Sequence, residues 1–114
     1  MERLRSRLRN TTLDVSPSSL RVLDAHLTGV AAEEEHPIPR ELVLEVTAYF
    51  GEVVRRALNG TWGIDSRDDK MPTVRLPNSD AEYPLVRAIK LVQDGDRLAD
   101  WFEFIQRGGQ RLLD

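Results

Sequence analysis

Tyr49-Phe50-Gly51-Glu52, followed by Arg55 and Arg56 and then by Gly60-Thr61-Trp62, is the densest group of chemically capable side chains in this sequence. If the segment is helical, Glu52 lies three residues before Arg55 and four before Arg56, the spacing at which a guanidinium reaches back to a carboxylate. A carboxylate so placed could bind a ligand or move a proton. Burial would require it to be paired, because an isolated buried carboxylate is neutralised rather than left charged. One reading is thus a small ligand-binding or enzymatic pocket around Glu52, Arg55 and Trp62, with Tyr49 beside it. The preferred reading makes the same residues fold determinants: Gly51 for close packing, Glu52 held by Arg55, by Arg56 or by strand amides, and Trp62 capping the core where helix turns into strand.

The other candidates are weaker. His26 and His36 are the only histidines, and neither has a ligand or triad neighbour at useful spacing. His26 lies near a helical apolar face, where a packed or surface imidazole is expected. Glu33, Glu34, Glu35 and His36 are consecutive, so on a helix end they point around the axis instead of converging on one ion. Asp65, Asp68 and Asp69 lack the glycine and the terminal glutamate of a calcium loop and read as a polar turn. The absence of cysteine excludes disulfides, thiolate zinc sites and a cysteine nucleophile. Gly60, Gly63 and Gly108-Gly109 do not sit between a strand and a helix in the manner of a phosphate loop. The residues therefore predict no catalytic set, no metal and no cofactor.

The elements that must position the Glu52 group follow from periodicity. Ser16-Pro17-Ser18-Ser19 places cap-type hydroxyls ahead of Leu20, Leu23, Leu27 and Val30, which predicts a helix over Pro17 to Glu34. His36-Pro37-Ile38-Pro39 ends it. Arg40 to Leu58 is the strongest element, with Leu42, Val43, Val46, Phe50, Val53, Val54 and Ala57 in a broad stripe. Gly51 is costly inside it, and with Ala48 and Leu44 it predicts a smooth second face for another backbone. Asn59-Gly60 supplies a left-handed stop. Thr61 to Ile64 and Thr73 to Leu76 read as an antiparallel strand pair, and Asn78, Ser79 and Asp80 as a turn. A third helix runs from Pro84 to Val92 on Leu85, Ala88, Ile89 and Val92. Asp94-Gly95-Asp96 breaks it and caps a fourth carrying Leu98, Trp101, Phe102 and Ile105.

At 114 residues the chain has room for one domain. Residues 16–109 are its expected extent, flanked by an arm over 1–15 and a tail over 110–114. The net charge of -3 conceals a division: Arg3, Arg5, Arg7 and Arg9 with one glutamate give the first ten residues +3, and the remaining 104 carry -6. The arm could tether the protein electrostatically to nucleic acid or to an anionic membrane, although a frayed terminus is the simpler expectation. No apolar run suits a signal peptide or a membrane span, so a cytoplasmic protein is expected. Arginine outnumbers lysine 14 to 2. Composition bias accounts for much of this, but at Arg55 and Arg56 a planar fork can hold a carboxylate as lysine cannot.

An aromatic followed by Gly-Glu, a basic residue three positions on, and then Gly-x-Trp entering a strand resembles small uncharacterised bacterial domains. Some of those are similar to immunity proteins of contact-dependent toxin systems. The resemblance runs from about Glu41 to Ile105 and includes Tyr83-Pro84-Leu85, the turn with Lys90 and Gly95, and Trp101-Phe102. It implies no particular activity. The fold expected is α+β, four helices with a short antiparallel β element between the second and third. Open strand edges invite a protein partner or a homodimer through an edge. The leading functional expectation is a non-catalytic interaction module that occludes a partner.

Overall fold

The structure, a computed structural model, describes residues 14–27, 40–65, 71–78 and 80–107. The arginines of the arm, the helix residues after Leu27, the Glu33 to His36 run, Asp68, Asp69 and the C-terminal tail lie outside the described residues. Seven elements follow in order: α1 (Ser19–Leu27), α2 (Arg40–Leu58), β1 (Thr61–Asp65), β2 (Met71–Arg75), β3 (Ala81–Glu82), α3 (Pro84–Asp94) and α4 (Leu98–Gln106). The class is α+β as expected, with the antiparallel sheet between the second and third helices.

The sheet has three strands in the order β1-β2-β3, where a pair was expected. The added strand arises at the turn around Asn78. Asp80 accepts the Leu76 N–H at 2.8 Å, and the Asn78 side chain bonds both the backbone and the carboxylate of Asp80. That closes the chain back on β2, so Ala81 pairs with Arg75 and Glu82 with Val74. Two residues are too few for a periodic signal. β1 pairs with β2 along its whole length, Trp62 opposite Val74 and Ile64 opposite Pro72. β2 thus begins two residues before the expected start. Pro72 is tolerated because β3 does not extend alongside it, so no ladder hydrogen bond is asked of its nitrogen on that side.

α2 is the central element, packing on α3 and on β1 and β2. It buries Leu42, Val46, Tyr49, Phe50, Val53 and Val54, while Ala57, read as part of the stripe, is exposed. Its C-terminus has Asn59 in the left-handed region at φ 57, with the Gly60 N–H donating to the Arg55 carbonyl at 2.9 Å. Gly60 is there for space: a Cβ would come within 2.6 Å of Val74 Cγ1. α3 turns Ala88 and Val92 inward as expected and buries Leu91 with them, while Leu85 is half-buried and Ile89, expected on the same face, is exposed. α1 and α4 pack on each other, joining the core through Leu20, Leu23, Leu27, Leu98, Phe102 and Ile105. Among the described residues no helix is long and apolar enough to cross a membrane.

α4 starts differently from its sequence reading. Its N-cap is Arg97, which makes no capping hydrogen bond, and the Asp94-Gly95-Asp96 run serves only to end α3, with Gly95 at φ 75. The first amides of α4 are instead met by Asp24 of α1, whose two carboxylate oxygens accept the Leu98 and Ala99 N–H groups at 2.7 and 2.8 Å. A helix start needs acceptors for its orphan donors, and here one arrives from more than seventy residues away.

Candidate functional site

The corner where α2 passes into β1 gathers Glu52, Arg55, Arg56 and Trp62. Arg55 grips Glu52 with two parallel bonds, Nε to Oε1 and Nη2 to Oε2, both 2.8 Å. Arg56 Nε donates to Oε2 at 2.9 Å, and Trp62 Nε1 donates to Oε1 at 3.0 Å. Each carboxylate oxygen thus accepts two hydrogen bonds. The Arg55 hydrogen bonds above all, then those from Trp62 and Arg56, hold the Glu52 carboxyl well below the usual carboxylate range. The same pairing raises Arg55.

The local sequence makes this arrangement. Helical spacing stacks both arginines over Glu52, and the tight Asn59-Gly60 turn brings the chain straight back along α2. Trp62 then lands with its ring over Gly51, where a Cβ would lie only 2.0 Å from Cη2. The expected partner of the Gly51 face was another backbone; the partner found is an indole ring. Trp62 itself remains 36% exposed, at the flank of the core and not capping it.

Chemically, this carboxylate is a structural anchor. Its oxygens are fully engaged, it is ionised across the ordinary pH range, and any ligand reaching it must first displace an arginine or the indole. Tyr49, grouped with these residues by sequence, is directed elsewhere. It is 2% exposed, and its hydroxyl accepts the Val15 N–H at 2.9 Å and shares a 2.7 Å hydrogen bond with Ser19 Oγ. Val15 stands at φ 61, costly for a β-branched residue, and the Tyr49 hydroxyl helps to hold it there. Asp65, read as part of a polar turn, ends β1 and accepts a 2.9 Å bond from the Tyr83 hydroxyl. His26 is exposed.

Two polar groups were not singled out by the sequence reading. One is Asp24. Burial pushes its carboxyl up, while the Ala99 and Leu98 amides oppose the shift. Its place four residues after Leu20 on the apolar stripe was the available signal. The other repeats the indole–carboxylate pairing across β3 and α4: Trp101 Nε1 donates to Glu82 Oε1 at 2.8 Å, and the Arg87 guanidinium lies 4.1 Å from the Trp101 ring centre. Burial raises Glu82, against the Trp101 hydrogen bond and Arg87. Without β3 in view, no spacing linked these three.

Beside the exposed Arg56 and Thr61, the α2–β1 corner leaves an apolar strip open. Ile64 is 67% exposed, Leu44 is 47% exposed, and Ala48 is exposed between Leu44 and Gly51 along α2. Trp62 and Ile64, two residues apart, share the face of β1 that looks toward α2. Thr61 to Ile64 are all exposed, and among the described residues β1 is an edge strand. No family model, curated protein or solved structure matches the chain.

Proposed function

We propose that this protein is a non-catalytic protein-interaction module, immunity-like or regulatory in kind, that binds and occludes a partner polypeptide at the α2–β1 corner. The observation that carries the reading is the outer edge of β1, a sheet edge with Ile64 and Trp62 open beside it. An exposed edge strand offers main-chain donors and acceptors to an incoming strand, and the side chains beside it supply selectivity. Sheets that must stay unpaired blunt such edges with lysine, proline or very short strands. β1 has five residues and neither lysine nor proline.

The saturated Glu52 supports the same reading, since it fixes the Trp62 ring and leaves the indole face presented as a rigid platform. Aromatic anchors with few rotatable bonds are the residues on which binding energy concentrates. The resemblance of the Glu41 to Ile105 segment supports the immunity-like form, in which occlusion alone is the activity.

The test is partner capture with an edge variant. The full chain, immobilised at low salt, is exposed to native lysate and what it retains is identified by mass spectrometry. A genuine partner is retained by the parent protein and by Gln93→Glu, an exposed α3 control, and is lost with Ile64→Glu. For the immunity-like form, the parent neutralises a toxin encoded beside it and Ile64→Glu does not. Retention unaffected by Ile64→Glu, or no retained protein and no neutralisation, overturns the reading.

A further inference from the structure

We infer that a second copy of this chain occupies the β1 edge when no other partner does, the two β1 strands pairing antiparallel with their Gly63 residues opposite each other. This rests on the interaction reading above and names the occupant that a partner would have to displace.

The register follows from the strand itself. Antiparallel self-pairing sets residues of equal parity opposite one another, so the dyad falls at Trp62, Gly63 or Ile64. Centred on Gly63, all five residues are used: Trp62 faces the other copy's Ile64 twice, and Thr61 faces Asp65 twice. The two pairs join an aromatic to a β-branched side chain, a favourable cross-strand combination, and both members are exposed in the single chain. Centring on Trp62 instead sets Ile64 against Gly60 and leaves Asp65 beyond the paired strand. Centring on Ile64 sets Gly63 against Asp65 and carries Trp62 past the strand end. The Gly63 register also separates the two Asp65 residues by four strand positions, about 13 Å.

Two further features agree. The dyad of such a pair is perpendicular to the sheet, so both α2 helices lie on the same face and their exposed Leu44 and Ala48 come to the same side of the seam. The result is a six-stranded sheet whose outer edges, among the described residues, are the two-residue β3 strands and the Met71–Thr73 stretch of β2 that β3 leaves uncovered, and very short strands and a proline such as Pro72 are standard protections against further pairing. A seam of five residues places the pair among small, exchanging interfaces, so a better-fitting strand displaces the second copy.

The chain has no cysteine, so one introduced thiol reports one contact. Gly63→Cys fits without strain, since its Cβ meets nothing closer than Thr73 Oγ1 at 3.4 Å. Opposed Cα atoms in an antiparallel pair are about 4.5–5.5 Å apart, within the span a disulfide bridges. With oxidised glutathione, Gly63→Cys is expected to become a covalent dimer. Thr61→Cys, whose two copies lie four positions out of register, stays monomeric, and adding Ile64→Glu to Gly63→Cys abolishes the crosslink. Equal crosslinking of Gly63→Cys and Thr61→Cys, or none in either, overturns the inference. If none forms while a lysate protein is still lost with Ile64→Glu, self-pairing fails and the interaction reading stands. If Gly63→Cys crosslinks but no partner depends on Ile64, self-pairing stands and occlusion fails.

Discussion

The Trp62 ring stands directly on Gly51: a Cβ at position 51 would lie 2.0, 2.5 and 2.9 Å from three carbons of its six-membered ring. Glycine inside a helix costs about 1 kcal/mol relative to alanine, and here that cost permits a contact no other residue allows. The docked ring in turn points its N–H at Glu52, so Gly51, Glu52 and Trp62 form one unit.

Gly51→Ala is therefore expected to destabilise the protein by about 1–3 kcal/mol, despite its better helix propensity, because the rigid indole must leave its place. In a Trp62→Ala background the same change should stabilise by up to about 1 kcal/mol, as the propensity gain is no longer opposed. Urea titrations of the four proteins form a double-mutant cycle. A neutral or stabilising Gly51→Ala in the parent background would show that the ring does not rest there.

Glu52 makes acid stability depend on its cluster. Its folded-state pKa lies below the ordinary 4.5, so its contribution is present above that value and is lost as the pH falls through it toward the lower folded value. Glu52→Gln should cost no more than about 1 kcal/mol at neutral pH, since both arginines are well exposed and solvent screens the pair. It should also flatten the fall in urea midpoint on the acid side of 4.5. A parent and variant with parallel pH profiles would contradict the pairing.

Asp24 acts with the opposite sign. Burial raises its carboxyl above the ordinary 3.8, so the folded state favours the protonated form. The charged form weighs against folding above the raised value, and that penalty disappears as the pH falls toward 3.8. Asp24→Ala should remove this dependence. It should also lower stability at neutral pH by about 1–2 kcal/mol, because the Leu98 and Ala99 amides lose their acceptors. Hydrogen exchange at those two amides should quicken more than at Phe102, which separates loss of the cap from general destabilisation.

Tyr49→Phe keeps the ring in the core and deletes only the hydroxyl that serves Val15 and Ser19. A loss of about 1–2 kcal/mol is expected, the cost of leaving a part-buried donor unsatisfied. Binding through the α2–β1 corner should be unchanged. A variant that loses binding while keeping its melting temperature would return Tyr49 to the functional group in which the sequence placed it.

Much of the architecture was legible in the residues. The α2 stripe, the Asn59-Gly60 stop and the Glu52–Arg55 and Glu52–Arg56 spacings are local, set within a few turns of one chain segment, and the structure contains all of them. β3 was not legible, because two residues carry no period. Its presence depends on the Asn78–Asp80 turn closing onto β2. The partners of Tyr49 were hidden for a related reason: adjacency in sequence places it with Glu52, whereas Val15 and Ser19, some thirty residues away, bond its hydroxyl.

Residue order alone was enough for the α+β class, the absence of thiols, four amphipathic helices, and a glutamate poised between two arginines. Tertiary structure decided which partners those residues meet: an indole on Gly51, a distant aspartate capping α4, and an apolar strand edge left open at Ile64. The division has a physical cause. Helical periodicity and ion-pair spacing act over three or four residues and are written along the chain. Close packing, remote capping and edge exposure depend on how segments dozens of residues apart are brought together, and no local pattern encodes that.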